Sequence, residues 1–239
     1  QIAVQRAQER HEADGAVAAC SAHPFFSTPC WLRSSPGLGE RMHVHGPDVV
    51  LNNPAYIHET AWIYGKVRLE EGSSVWINVA MRAENYEIVV GPYTNIQDFA
   101  MLHVGGQSGT YIGAHCSITQ HCTIHGCTIG DNCLIGIGST IMDGCVVGDN
   151  CIIGGHTFLK EGTVIPDNSV VVGSPGKVIK TQNNYVRGRL NAWLYYRNAL
   201  AYRQGQYRDW DQPEMAKAVG AEIARLTEEL KALEAAGQG

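Results

Sequence analysis

Along the second half of the chain an aliphatic side chain recurs every six positions: Ile129, Ile135, Ile141, Val147, Ile153, Leu159, Ile165 and Val171. The same beat runs earlier through Ile57, Ile63, Leu69, Val75 and Met81, then Val90, Ile96 and Leu102, then Ile112, Ile118 and Ile124. Gly often follows the aliphatic residue, as at Gly91, Gly113, Gly130 and Gly148. Four positions after it stands something small, such as Ser73, Cys116, Cys122, Cys133, Ser139, Cys145, Cys151, Thr157 or Thr163. A period of six matches neither the 3.6 of a helix nor the 2 of a lone strand. It predicts a solenoid of short strands joined by tight corners, with the aliphatic and the small residue both facing inward. Three hexapeptides close one triangular coil, and coils stack at roughly the strand spacing of 4.7–4.9 Å.

The period stops at both ends. Residues 1–46, rich in Ala, Ser, Pro and Gly, predict an extended arm suited to wrapping a neighbour. Residues 47–180 carry the repeat and close on "GSPGKVIK", and residues 181–239 predict two helices. The first has helical spacing at Val186, Leu190, Trp193, Leu194, Arg197 and Ala201. The second follows Pro213, with Met215, Val219, Ile223, Leu226, Leu230 and Leu233 as a narrow apolar stripe for a partner helix or the solenoid wall. The repeat resembles the hexapeptide-repeat family, and that resemblance implies a left-handed parallel β-helix that trimerises.

Composition removes several function classes. A net charge of −5 with 17% charged residues argues against nucleic acid, which needs a basic face. No run of 18 apolar residues is present to form a transmembrane segment. The 8 cysteines form no CxxC pair, and five of them fall on the inward small position, where Cys acts as a small core hydrophobe.

The polar residues fall into columns. His103 follows Leu102 and His125 follows Ile124, three aliphatic steps later, with the insertion "GGQSGT" absorbed between them. They therefore share one corner of adjacent coils, and Arg82, after Met81, takes that corner one coil earlier. A second column lies one strand back, where Gln97 and Asp98 stand under Thr119 and Gln120. Two imidazoles one rung apart can share a zinc at about 2.0–2.1 Å, but a third ligand must come from elsewhere. A hydrogen-bonded polar edge is the plainer alternative.

The stretches "MRAEN", "TNIQDFAMLH" and "SITQHCTIHGCTIGD" resemble the gamma class of carbonic anhydrases. That resemblance implies a zinc held between subunits by two His of one chain and one of the next, and the hydration of carbon dioxide to bicarbonate. Residue by residue, it makes His103 and His125 the same-chain metal pair, with Arg82, Glu84, Asn95, Gln97 and Asp98 around them. It gives Gln97 the placing of water or substrate, Glu84 a proton relay, and Arg82 with Asp98 the subunit interface. Tyr196 resembles a tyrosine that the C-terminal helix aims at the site. The match breaks at the third ligand, where Gln120 stands in place of His. Glutamine offers a neutral amide oxygen, a poor zinc ligand beside imidazole. His121 is a candidate substitute at a corner. Asn85 and the loop "VGGQSG" lack the acids that some members use to shuttle protons.

Three functions follow as expectations. One is a structural subunit of a mixed trimer of gamma carbonic anhydrases on the matrix face of mitochondrial complex I, next to its membrane-arm subunits. The opening Gln1 and the arm lean that way. Another is an active zinc enzyme, as a homotrimer in a bacterial cytoplasm. The last is a hexapeptide acyltransferase using a His base and coenzyme A, which the "GSPGKVIK" exit allows. His43, His45, His58, His115 and His156 are expected as plain surface residues.

Overall fold

In the computed structural model the described residues are 45–236. The arm expected over residues 1–46, His43 included, lies almost wholly outside them. The hexapeptide beat becomes a parallel β-helix of three walls. One wall carries the ends or wholes of Trp62–Leu69, Ala80–Val90, Met101–His103, Thr123–His125, Thr140–Ile141 and Phe158–Leu159. Its register stacks Met81 on Leu102, Leu102 on Ile124 and Ile124 on Ile141. The second wall runs through Thr110–Ile112, Thr128–Ile129, Val146–Val147 and Val164–Ile165. The third is an eight-stranded sheet from Tyr56–Ile57 to Ser169–Val172, ended by the antiparallel strand Lys177–Thr181.

The insertion "ENYE" does not break a strand. Ala80–Val90 runs on through it, pairing with Met101–His103 at one end and Thr110–Ile112 at the other, so two walls join there. Inside, the inward aliphatics Ile63, Leu69, Met81, Ile96, Leu102, Ile118, Ile124, Ile135, Ile141 and Ile153 are fully buried. Burying one such side chain contributes about 1.5–3 kcal/mol, repeated coil after coil. The expected cysteines lie at the inward small position, free and buried, and Cys127 joins them. Their thiols also satisfy corner carbonyls of the next coil: Cys116 Sγ donates to Gly130 O at 3.0 Å, Cys133 to Gly148 O at 3.0 Å and Cys145 to Lys160 O at 3.0 Å. Burial pushes the Cys133 and Cys127 thiols well above their usual range, which keeps them inert.

Two helices follow, α1 (Tyr185–Arg203) and α2 (Met215–Ala235). Of the stripe expected for α1 only Ala201 is buried. The buried residues of the helix are Gly188, Ala192, Asn198, Ala199 and Ala201. The reason is the surface it meets: α1 lies across the outer side of the third wall, where polar and aromatic side chains accept small residues and hydrogen bonds rather than an apolar ridge. For α2 the expected stripe does hold Met215 and Leu226, its two buried residues, and α2 packs on α1. There Tyr185 Oη donates to Glu229 at 2.7 Å. Among the described residues no helix is long and apolar enough to cross a membrane.

Candidate metal centre

Arg82, His103 and His125 are Cα partners on three successive rungs of the first wall, the column expected from the spacing. The two imidazoles meet through their inner nitrogens, His103 Nδ1 to His125 Nε2 at 2.9 Å. Their outer nitrogens each meet a carboxylate. His103 Nε2 lies 3.1 Å from Glu84 Oε2, and His125 Nδ1 is hydrogen-bonded to Asp143 Oδ1. Arg82 donates to the other Glu84 oxygen. Desolvation pulls the Glu84 carboxyl up, but the hydrogen bonds from Arg82 and His103 outweigh it and hold the group below its usual range. The result is one chain of contacts, Arg82–Glu84–His103–His125–Asp143. It borders a groove of about 610 Å³ lined by Trp62, Tyr64, Met101, Arg82 and both histidines.

The donor pair suits a metal. Two imidazole nitrogens on one tetrahedral zinc stand about 3.3 Å apart, and these two need open by only a few tenths of an ångström. Carboxylates on the outer nitrogens are what ligating histidines ordinarily have. Among the described residues, however, no cluster of three or more His, Cys, Asp or Glu is arranged to hold a metal ion. Within the described residues the histidine pair is thus without a third donor of these types.

Asp143 is the residue that sequence reasoning missed. A faint signal was there. Ile141 is the register partner of Ile124, so Met142 continues the histidine column and Asp143 comes next, an acid one coil from His125. The step from Ile124 to Ile129 is five residues rather than six, so a count of the aliphatics puts Met142 and not Asp143 in the column.

The second column belongs to another environment. Asn95 and Ile96 pair with Ser117 and Ile118, so Gln97 and Asp98 do lie beside Thr119 and Gln120. Gln97, expected to position water or substrate, is only 1% exposed. Its Oε1 accepts from Tyr195 Oη at 3.0 Å and its Nε2 donates to Asn95 Oδ1 at 2.8 Å. Asn95 is equally buried and donates to Ser117 Oγ at 2.9 Å. The helix tyrosine at this site is therefore Tyr195 rather than Tyr196, whose ring packs edge-on to Tyr93 at 5.1 Å. One residue is about 100° of helix rotation, enough to exchange the two. Burial raises the Tyr195 hydroxyl above its ordinary value, with the nearby Gln120 amide acting the other way. Asp98 is partly exposed beside this network.

Gln120 and His125 thus stand at opposite edges of the same wall. His121, the candidate substitute, takes the left-handed corner at φ 59°. Its ring stacks on Phe99 at 5.1 Å, away from the histidine pair. Asn85 is exposed on the long strand. His115 is half-buried rather than a plain surface residue: it stacks on Tyr93 at 5.2 Å beneath the helices, and burial, with Arg189 nearby, lowers its pKa to about 4.

Comparison with known proteins extends this picture. The model "Bacterial transferase hexapeptide (six repeats)" matches residues 126–161. The chain is 38% identical to "Gamma carbonic anhydrase 3, mitochondrial" of Arabidopsis thaliana over 195 residues, 78% of this chain and 76% of that protein. It is 48% identical over 124 residues to "Probable carbonic anhydrase" of Methanocaldococcus jannaschii, 52% of this chain and 78% of that one. Among solved structures, a hexapeptide transferase family protein from Anaplasma phagocytophilum superposes with a TM-score of 0.58 at 26% identity, covering 67% of this chain and 95% of the other.

Proposed function

Because the chain belongs to the gamma carbonic anhydrase family, we propose that it serves as one subunit of a trimer whose metal sites lie between neighbours, and that its own third-ligand position is spent. One observation carries this reading: the first wall has a ligand-ready edge and an unready one. At the ready edge His103 and His125 turn their inner nitrogens toward each other. At the other edge, beside Tyr195, stands Gln120, whose neutral amide is a poor zinc ligand next to imidazole. A neighbour's edge laid against the histidine pair would supply a third ligand, and where that neighbour is this same chain the ligand is glutamine.

Zinc is the metal that this donor set suits, and when bound it supplies the Lewis acidity that makes water a nucleophile toward carbon dioxide near neutral pH. The chain's own residues do the rest. His103 and His125 present two nitrogens to the seam. Glu84 holds His103 from outside and, being partly exposed, is placed to pass a proton to solvent. Arg82 and Asp98 lie at the two opposite edges, where one subunit's arginine would meet the next subunit's aspartate. Gln97, sealed beneath α1, stiffens the wall behind Gln120 rather than touching substrate.

The relative named mitochondrial supports a place in the mitochondrion, and we take the subunit to be structural, within a mixed trimer on the matrix side of complex I. An active homotrimer is the second reading. The carboxylate at each end of the histidine pair favours it, as does the 48% identity to the archaeal protein.

Zinc per chain, measured by elemental analysis on a natively purified assembly of known composition, separates the two. None in a homotrimer, or about one per three chains in a mixed trimer, supports the spent position. About one per chain in a homotrimer overturns it. The Gln120→His variant is expected to raise the homotrimer toward one zinc per chain.

A further inference from the structure

We propose that Asp143 is a positioning residue that fixes the tautomer of His125, aiming its Nε2 lone pair at the metal shared with His103. The inference rests on the reading of that pair as ligands.

Asp143 and Glu84 stand at the two ends of the histidine pair, and an ionised carboxylate only accepts. With a metal between the rings, His125 Nδ1 and His103 Nε2 therefore both carry hydrogen and donate outward; without one, His125 Nδ1 still donates to Asp143 while its Nε2 accepts from His103 Nδ1. The inner nitrogens, 2.9 Å apart, are the ones left to a metal. Without Asp143, nothing holds the hydrogen on Nδ1 of His125, and Nε2–H points at the position that a ligand lone pair has to occupy.

The seat of this carboxylate is built. A Cβ on Gly126 would lie 2.7 Å from Asp143 Oδ1, and one on Gly105 would lie 3.0 Å from Oδ2, so two glycines leave the room that the side chain fills. Gly126 takes φ 51° and donates its N–H to His103 O at 3.1 Å. The loop after His103 folds back on the same spot. Gly105 N donates to Ser108 O at 2.8 Å, Ser108 Oγ to Gly126 O at 2.7 Å and Thr110 Oγ1 to His103 O at 2.6 Å. The insertion "GGQSGT", which carries no acid of its own, thus frames an acid from the next coil against His125.

The test uses the full chain with histidine-selective 15N labelling and long-range 1H–15N correlation, the His125 signal being identified by its loss in His125→Gln. In the wild type, metal-free, His125 is expected in the Nδ1–H form. In Asp143→Ala that form is expected to lose its dominance, and in Asp143→Asn, whose amide can turn either face to the ring, both tautomers are expected. The Asp143 side chain is 39% exposed, so neither change should unfold the coil. Zinc affinity, from chelator competition in the Gln120→His background, is expected to fall about 10–100-fold with Asp143→Ala. An unchanged His125 tautomer overturns the proposal whatever the metal does, as does an altered tautomer with unaltered zinc affinity. If the Gln120→His protein binds no zinc even with Asp143 present, the ligand reading fails, while the tautomer still decides whether Asp143 governs His125.

Discussion

The Tyr195 hydroxyl donates to a Gln97 amide oxygen that has no route to water, so removing it strands a buried acceptor. Tyr195→Phe is expected to destabilise the protein by about 1–3 kcal/mol, the usual penalty for such a group. Tyr196→Phe removes a hydroxyl from a ring that meets Tyr93 face-to-edge and keeps that packing, so it should stay within about 0.5 kcal/mol. Urea midpoints of the two variants, measured side by side, check the assignment, and equal losses would sink it. At this scale the columns were legible because register in a solenoid is counting: once the inward aliphatics are aligned, Arg82, His103 and His125 must stack. Asp143 and Tyr195 were not. Each reaches its partner across a break in the count, one through the five-residue step from Ile124 to Ile129 and the other through the rotation of a helix.

The seam between α1 and the third wall is made by closeness rather than by greasy area. A Cβ on Gly188 would stand 2.5 Å from Asn132 Oδ1 and 2.7 Å from Asn132 O, so Gly188→Ala must push the helix outward. That overpacking is expected to cost about 1–3 kcal/mol, outweighing the gain in helix propensity. Gly220 in α2 meets nothing within 4 Å, and Gly220→Ala should instead stabilise by about 0.4–1 kcal/mol. Opposite signs in thermal unfolding are the expected result. The seam also carries a pH dependence. His115 lies under it with Tyr93, Asp131, Arg189, Arg225 and Glu229 as surroundings, its pKa lowered to about 4 by burial first and Arg189 second. The unfolded imidazole titrates at about 6.5, so the unfolded chain binds the extra proton first. Stability from this group is complete above about pH 6.5 and drains away as the pH falls toward 4. His115→Asn, whose side chain tolerates the left-handed φ of 55°, should flatten the melting temperature across that window. Periodicity located both helices, yet of the stripe drawn for α1 only Ala201 is buried, because a helix on a polar wall buries its small residues.

For the whole molecule, the hexapeptide beat alone specifies three walls and a narrow core, since no other regular structure puts an aliphatic and a small residue inward every six positions. What counting inside one chain cannot contain is a site that two chains complete. The spacing of the functional residues nevertheless bears on it. His125 and Gln120 are five residues apart on one coil, which extended strand would separate by up to about 16 Å, and their side chains belong to separate networks. A ligand at position 120 is therefore expected to serve a neighbour's histidine pair and not its own. Complementation tests this directly. One chain carries Gln120→His together with His103→Ala and His125→Ala, so it has a donor at the far edge and no pair. The other is the unaltered chain, with the pair and no third donor. Homotrimers of either are expected to hold no zinc, whereas mixed trimers from co-expression, purified through two different tags, are expected to hold zinc at each seam where an unaltered pair faces an altered edge. In a trimer with both kinds of chain that seam occurs once, whichever chain is present twice, so the expected content is one zinc per mixed trimer. Zinc in neither homotrimer nor mixture would mean that the donors never converge. Zinc in a homotrimer of the unaltered chain would mean that Gln120 ligates after all, and the asymmetry between the two edges of the wall would then have no functional consequence.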